Sequence, residues 1–197
     1  AVKIFHPIDA ANVAEVRVRA TKLEKLKTFP AGLPANVLGP MELVKDAKGD
    51  VIGFVMRALQ DVEDAGRLSQ RKFREQHVSN AAVMAVFRKL EATLRELHAR
   101  KVVVGDLNDG NVLVQPASSD AFLIDADSMQ FNGLACAVGH ERFLDPRLYG
   151  VDLSSNPRFD EGTDWYSFAV MLFSSLLYVH PFGGTHTKLG TMLRRAE

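Results

Sequence analysis

Short apolar runs separated by polar turns organise the middle of the chain. One run, Val102–Val104, precedes Asp106; a second begins after Asn111; and a third, reached through the turn Pro116–Asp120, ends at Asp125. Apolar runs of this length, bounded by Gly, Pro, Asn, Asp and Ser, are typical of β-strands. The pattern therefore predicts a strand, a loop, a strand, a hairpin turn and a third strand, with polar side chains clustered at one end.

The first helix is predicted near the start of the chain. Asp9 or Asn12 is a suitable N-cap, and the helix is expected to run to about Lys27. Four apolar side chains recur on one face at three- and four-residue spacing: Val13, Val16, Ala20 and Leu23. This spacing predicts an amphipathic helix that packs on the core through that face.

Two further helices are predicted later in the chain. One begins at Ser79 or Asn80, runs to about Ala99 and carries a continuous apolar stripe. The other starts near Thr163 and is apolar nearly all round, so we expect it to be buried on all sides. The chain also ends, at Arg194–Glu197, in a pattern that looks helical.

Shorter apolar runs before residue 60 predict strands: Ala1–Phe5, Val37–Leu38, Met41–Val44 and Val51–Met56. The turn Asp46–Asp50 is expected to join the last two as a hairpin. The polar segment Asp61–His77 is predicted to contain a short helix. Together with the helices, these strands predict an α+β fold.

Composition narrows the classes of partner. The 24 basic residues balance the 24 acidic ones, so nothing favours binding to nucleic acid. The longest apolar stretch, Phe168–Val179, has 12 residues and two serines, whereas a membrane helix needs about 20. We therefore expect no membrane segment. The single cysteine, Cys136, excludes an internal disulfide and suits the reducing cytoplasm.

The candidate chemistry lies on the polar residues of the central segment. A loop Asp, an Asn five residues later and an Asp at the end of the next strand is how kinases hold a hydroxyl and two magnesium ions. Asp106, Asn111 and Asp125 have this spacing. Lys3, in the sequence AVKIF, lies in a segment close to the kinase strand motif V-A-I-K, whose Lys binds the nucleotide phosphates.

Over nearly its whole length the chain resembles a eukaryotic-like protein kinase catalytic domain. The forms Gly-Asp-Leu-Asn at 105–108 and Ile-Asp-x-Asp-Ser at 124–128 are most similar to a divergent bacterial branch. Three further segments are similar to the end of the activation segment, the start of the central buried helix and the tail after it: Gly139–Leu148, Asp164–Trp165 and His180–Phe182. In such kinases the Asp of the central helix anchors the catalytic loop.

The resemblance implies a two-lobed fold. Residues 1–58 would be a partial N-lobe with a small antiparallel sheet, lacking the Gly-rich hairpin because the chain starts after it. Residues 59–197 would be a mainly helical C-lobe whose last helices are partly missing. We therefore expect a piece of a longer protein, with further domains possible outside it.

The resemblance also implies roles for single residues. Lys3 would hold the phosphates of ATP and pair with a Glu of the first helix, for which Glu15 is favoured over Glu24 by its position beside the strand. Backbone groups at the hinge, at Met56 and Ala58, would bind adenine. Asp106 would accept the hydroxyl proton. Asn111 and Asp125 would bind Mg²⁺.

Five residues depart from the kinase pattern. Asn108 replaces a Lys that steadies the transferring phosphoryl, and we keep it with Asp106 and Lys3 in the candidate catalytic set. Asp127 replaces the Gly of D-F-G and is either a further metal ligand or a turn cap. Val104–Gly105 replaces His-Arg, which makes control by loop phosphorylation doubtful, and Arg147 replaces the Glu of A-P-E.

The function expected is that of an ATP- and Mg²⁺-dependent protein serine/threonine kinase acting on an unidentified protein substrate. A pseudokinase that holds nucleotide and signals by docking is an alternative, motivated by Asn108, Asp127 and Arg147. A small-molecule kinase is another, since the segment 105–108 also looks like the loop of aminoglycoside- or choline-type phosphotransferases. The remaining alternative, that the acids are only turn residues, does not explain their joint spacing and order.

Overall fold

The computed structural model describes residues 1–183, which form two small antiparallel sheets and four α-helices. This confirms the predicted α+β class. The helical pattern at Arg194–Glu197 lies outside the described residues. Within residues 1–183, none of the helices is both long enough and apolar enough to cross a membrane.

The first sheet has three strands in the order β1-β3-β2: β1 (Val2–Ile4), β2 (Glu42–Lys45) and β3 (Val51–Val55). All neighbours are antiparallel, and Lys3 of β1 pairs with Phe54 of β3. The Asp46 carboxylate accepts backbone N–H groups in the turn between β2 and β3, an Asx turn of the kind that closes hairpins. The predicted hairpin is confirmed. Its second strand, β3, is the central strand of the sheet and pairs with the edge strand β1, which contains Lys3.

Helix α1 (Val13–Lys27) begins at Asn12, whose side chain accepts the N–H groups of the first turn. The prediction that α1 packs on the core through the face of Val13 and Val16 is wrong, because Val13 is 71% exposed and Val16 is 39% exposed. The helix buries Lys25 and Leu26 instead. Because α1 meets the rest of the chain mainly through its C-terminal half, the valines near its start have little to pack against.

The second sheet has the order β4-β5-β6: β4 (Glu63–Asp64), β5 (Val112–Gln115) and β6 (Asp120–Leu123). The β5–β6 hairpin was predicted and is confirmed, whereas β4 consists of two charged residues and carries no apolar signal. The predicted strands Val37–Leu38 and Val102–Val104 are wrong, since each forms only an isolated bridge.

Three more helices complete the described chain: α2 (Arg71–His77), α3 (Asn80–Ala99) and α4 (Glu161–Leu177). Helix α3 begins at the predicted cap Ser79 and buries its apolar stripe. Helix α4 is not buried on all sides as predicted, because Phe173 and Leu177 are exposed while several of its serines are buried. It packs on α3 and on the 3₁₀ turn at 65–69, which leaves its other face open.

The main core lies between α3, α4 and the β5–β6 hairpin. It includes Val104 and Val112, which lie on either side of the polar loop at 105–111, and Leu107 within that loop; all three are buried. Side chains in a close-packed interior hold defined positions. The loop is therefore fixed at both ends and near its middle, and its polar side chains project from a rigid base.

Candidate active site

The loop that carries Asp106 is anchored from below by Asp164, in the first turn of α4. Asp164 is fully buried. Its Oδ2 accepts the N–H of Val104 at 2.8 Å, and its Oδ1 accepts the N–H of Gly105 at 2.8 Å. The contact expected from the sequence is therefore present, and two charge-assisted hydrogen bonds fix the backbone just before Asp106.

His98, in the last turn of α3, completes this anchor. Its Nε2 lies 2.8 Å from Oδ2 of Asp164, and both side chains are buried. The helical pattern of α3 gave no sign of this role, because the two residues are 66 positions apart in the chain. A buried carboxylate must be paired or hydrogen-bonded, and His98 together with the two amides meets that need.

Gly105 turns the chain towards the site. Its φ is +74°, and a Cβ at this position would lie 2.8 Å from Cβ of Cys136 and 2.9 Å from its Sγ. Glycine adopts positive φ without a steric penalty. Position 105, which is Arg in the kinase pattern, thus requires glycine here, because of its positive φ and because the buried Cys136 lies beside it.

Asp106 is held by two amides of its own loop. Asn108 Nδ2 donates to the main-chain oxygen and to Oδ1 of Asp106, both at 3.0 Å. Asn111 Nδ2 donates to the main-chain oxygen at 2.9 Å and to Oδ2 at 3.2 Å. Burial raises the pKa of Asp106, and the charge of Asp125 adds to this rise, while the Asn108 hydrogen bond opposes it. A carboxylate with a raised pKa is the stronger base.

Asn108 is a structural residue in this loop. It is 5% exposed, and its Oδ1 accepts the N–H groups of Gly110 and Asn111 while its Nδ2 serves Asp106. Both ends of its amide are therefore committed to the loop. The structure does not support the prediction of Asn108 as a catalytic group, and it places Asn108 as the residue that shapes the turn from Asp106 to Asn111.

Asn111 stands between Asp106 and Asp125. Its main-chain oxygen accepts the N–H of Ile124 at 3.0 Å, which ties the start of β5 to the end of β6. Its side-chain nitrogen is used by Asp106. Among the described residues no hydrogen bond to its Oδ1 is found, so this oxygen is left for a ligand.

Asp125 follows β6 in the left-handed conformation, with φ +60° and ψ 30°. This conformation is uncommon outside glycine, although Asp tolerates it better than most residues. The carboxylate accepts the Ser128 hydroxyl at 2.6 Å and contacts the Lys3 ammonium. Burial alone would raise the pKa of Asp125, but Lys3 and Ser128 outweigh it and hold that pKa below its ordinary value.

Lys3 brings the first sheet to the acids of the second half of the chain. Its Nζ contacts Asp125 and lies 2.8 Å from Oδ1 of Asp127, more than 120 positions away in sequence. Burial alone would lower the pKa of Lys3, but Asp127 and Asp125 together raise it above its ordinary value. The structure thus places Lys3, Asp106, Asn111 and Asp125 in one region.

The predicted glutamate partner of Lys3 is not formed. Glu15 accepts the N–H of Asp9 and the side-chain amide of Asn12, both at 2.9 Å, at the start of α1. Glu24 pairs with Lys27 on the exposed side of the helix. Glu15 is instead held by the segment that leads into α1, through one backbone N–H and one side-chain amide, and does not reach Lys3.

Asp127 takes the place of that glutamate. Its side chain is fully buried, and its two oxygens lie 2.8 Å from Nζ of Lys3 and 2.7 Å from Nζ of Lys22. A metal ion would have to displace an ammonium group from a buried carboxylate. The structure therefore does not support the prediction of Asp127 as a metal ligand and shows it as an ion-pair partner of two lysines.

The backbone groups of Met56, which were predicted to bind adenine, are already hydrogen-bonded to Ala1. The N–H of Met56 donates to the main-chain oxygen of Ala1 at 2.9 Å, and the Met56 oxygen accepts from the amino group of Ala1 at 2.8 Å. Both backbone groups of Met56 are therefore used by the strand and cannot bind adenine. Ala58 is exposed, and among the described residues no hydrogen bond to its backbone is found. A cavity of about 390 Å³ lies beside it, between Arg57 and Phe122.

A second cavity, of about 550 Å³, lies between β1 and α1. Its lining includes Lys3, Phe5, Glu15, Arg19 and Lys22. Asp106, Asn111 and Asp125 do not line it. Its size alone assigns no chemistry. We place the candidate site at Asp106 and Asp125 because their carboxylates have defined contacts, with Asn108 and Asn111 and with Lys3.

The donor set suits magnesium that is shared with a nucleotide. In residues 1–183 no group of three His, Cys, Asp or Glu side chains forms a metal cage. Magnesium in phosphotransferases is held by one or two carboxylates and by substrate phosphates, not by an all-protein cage. The partly exposed carboxylate of Asp125 and the Oδ1 of Asn111 fit that requirement.

Comparisons with known proteins add no identification. A scan against models of protein families finds no match for this chain. A search of curated proteins finds no similar sequence. The resemblance to protein kinases therefore rests on the residues and contacts described above.

Proposed function

We propose that the chain is an ATP-dependent phosphotransferase of the protein kinase type, which transfers the γ-phosphoryl of ATP to a serine or threonine hydroxyl of a protein. The contact of Lys3 with Asp125, formed between the first sheet and the end of β6, carries the proposal. Residues 1–58 and 59–197 are the two lobes, and ATP lies between them. The reducing cytoplasm, which suits the lone buried Cys136, is the compartment.

Asp106 receives the proton of the acceptor hydroxyl. Its position is set by Asn108 and Asn111, and its backbone is set by Asp164. Phosphoryl transfer demands mainly positioning and charge neutralisation from a protein. A base whose carboxylate and main chain are both held by hydrogen bonds meets the first demand.

Asp125 and Asn111 are the residues that would hold magnesium. The ion would neutralise the charge of the phosphates during transfer. Lys3 supplies the second positive charge, and its ammonium is already next to Asp125. ATP binding is expected to move the Lys3 ammonium from Asp125 towards the phosphates, which would leave the Asp125 carboxylate available as a magnesium ligand.

Transfer of label from γ-labelled ATP by the full-length protein tests this proposal. Asp106→Asn keeps the size of the side chain and removes the base, so transfer is expected to fall by about 100-fold or more. Asp109→Asn is the matched control, because Asp109 lies in the same loop and its carboxylate pairs with Arg142 at 3.9 Å. Full transfer by the Asp106 variant would contradict the assignment.

Nucleotide binding without transfer is the second candidate. The buried Asn108 favours it, because the loop offers no cation next to Asp106 where the kinase pattern has a lysine. A missing charged contact in a transition state can reduce the rate by orders of magnitude. Tight, Lys3-dependent binding of Mg·ATP without transfer to any protein or small hydroxyl compound would identify this second function.

A further inference from the structure

Asp127 bridges two lysines that come from different elements. Lys3 of β1 and Lys22 of α1 approach opposite oxygens of the same carboxylate, at 2.8 and 2.7 Å. We propose that Asp127, held by Lys22, is a positioning residue that orients Lys3 towards the phosphates of bound nucleotide. This inference rests on the proposed function and replaces the expected glutamate of α1 with an acid from the turn after β6.

The burial of Asp127 makes its position well defined. Its side chain has no exposed surface, whereas the side chains of Lys3 and Lys22 remain about a quarter exposed. An ionised carboxylate out of water must keep its partners, because leaving it unpaired is strongly destabilising. Asp127 is therefore the fixed member of the bridge, and the two ammonium groups are located by it.

The two acids that touch Lys3 differ in what else can reach them. Asp125 is 29% exposed and lies beside Asn111, so a metal can approach its carboxylate. Asp127 is closed off on every side by protein. If Asp125 serves as a metal ligand, Lys3 would keep its ion pair with Asp127, which would hold its ammonium facing the nucleotide phosphates.

Helix α1 controls the bridge through two lysines on one face. Lys22 binds Asp127, and Lys25, three residues later, donates to the main-chain oxygen of Ser128 at 2.9 Å. Residues three apart on a helix project to the same side. These two contacts tie α1 to the turn at 125–128, so that Lys22 and Lys3 are positioned by the same fixed carboxylate.

Affinities of the full-length protein for Mg·ATP and for adenosine, measured by titration calorimetry, test the inference through a double-mutant cycle. Lys3→Met is expected to weaken Mg·ATP binding about tenfold and to leave adenosine binding unchanged. Asp127→Asn and Lys22→Met are each expected to weaken Mg·ATP binding about threefold. In the Lys3→Met background the same two changes are expected to have no further effect, because they act through Lys3. Lys27→Met, an exposed lysine of the same helix, is the control and is expected to bind like the wild type.

The outcomes separate the inference from the proposed function. If the wild type binds Mg·ATP no better than adenosine, the proposed function fails and the inference fails with it. If Lys3→Met weakens Mg·ATP but Asp127→Asn leaves it unchanged or tightens it, only the inference is overturned. An equal loss from Asp127→Asn with and without Lys3 would show that Asp127 acts on the fold and not on Lys3, which also overturns it.

Discussion

The ammonium group of Lys25 is buried in the interface between α1 and the turn at 125–128. The residue is 3% exposed, and burial lowers the pKa of Lys25 from 10.5 to about 8. Between these two values the unfolded chain binds more protons at this residue than the folded chain does. The free energy of unfolding contributed by Lys25 therefore rises as the pH increases from about 8 to about 10.5. The whole shift corresponds to about 3 kcal/mol.

Replacing Lys25 by Met keeps the length of the side chain and removes the charge. Relative to this variant, the wild type is expected to gain about 2 kcal/mol of stability between about pH 7 and about pH 9.5. At the lower pH the variant should equal or exceed the wild type, because it no longer buries a charged amine. Urea denaturation at each pH measures the difference, and Lys27→Met, whose lysine is exposed, is the control that should follow the wild type.

The stability of the wild type must be compared with that of Lys25→Met at each pH. A second buried group, Cys136, changes the free energy of unfolding in the opposite direction as the pH rises. Burial raises the pKa of Cys136 from 9.0 to about 11, so stability contributed by its neutral thiol is lost as the pH rises through that range. This loss occurs in both proteins, and only part of it cancels in the difference because the charges of Lys25 and Cys136 interact. Parallel stability curves for the wild type and Lys25→Met across this pH range would refute the reasoning, since they would mean that Lys25 is charged equally easily in both states.

Three further predictions concern the loop and its acids. Gly105→Ala would place a Cβ 2.8 Å from Cys136 at positive φ, and urea denaturation is expected to show a loss of about 2 kcal/mol or more of stability. Cys136→Gly in the same chain should recover part of that loss. Full stability of the Gly105→Ala variant would contradict the prediction. Asp164→Asn removes the charge that receives two backbone amides and should cost about 2 kcal/mol and reduce phosphotransfer further than the stability loss alone explains. Asp125→Asn should weaken nucleotide binding only when magnesium is present. The Asp125 carboxylate of the wild type has a lowered pKa, so the wild type loses stability as the pH falls below 3.8, and the variant should lack this pH-dependent stability.

Local patterns were enough to predict much of the fold. The apolar stripe and the Ser79 cap located α3, and the alternation of short apolar runs with turns located the β5–β6 hairpin. An antiparallel hairpin brings the residue before its first strand close to the residues after its second strand. This is why the proximity of Asn111 and Asp125 could be expected from their spacing.

Contacts between distant segments could not be predicted in the same way. Glu15 has the position of a partner for Lys3, but the backbone N–H of Asp9 and the side-chain amide of Asn12 hold it at short range. Asp127 contacts Lys3 and Lys22, each more than 100 positions away in sequence, and no local pattern indicates these contacts. The Val102–Val104 run has the composition of a strand, yet the turn at Gly105 and the anchor at Asp164 leave it only a single bridge.

A crystal structure of the full-length protein with Mg²⁺ and a non-hydrolysable ATP analogue would test the central claim most directly. We predict a magnesium ion about 2.1 Å from oxygens of Asp125 and Asn111, with the amine of Lys3 on the phosphates and still in contact with Asp127. Nucleotide bound away from Lys3, or a metal ion that contacts neither Asp125 nor Asn111, would contradict the account.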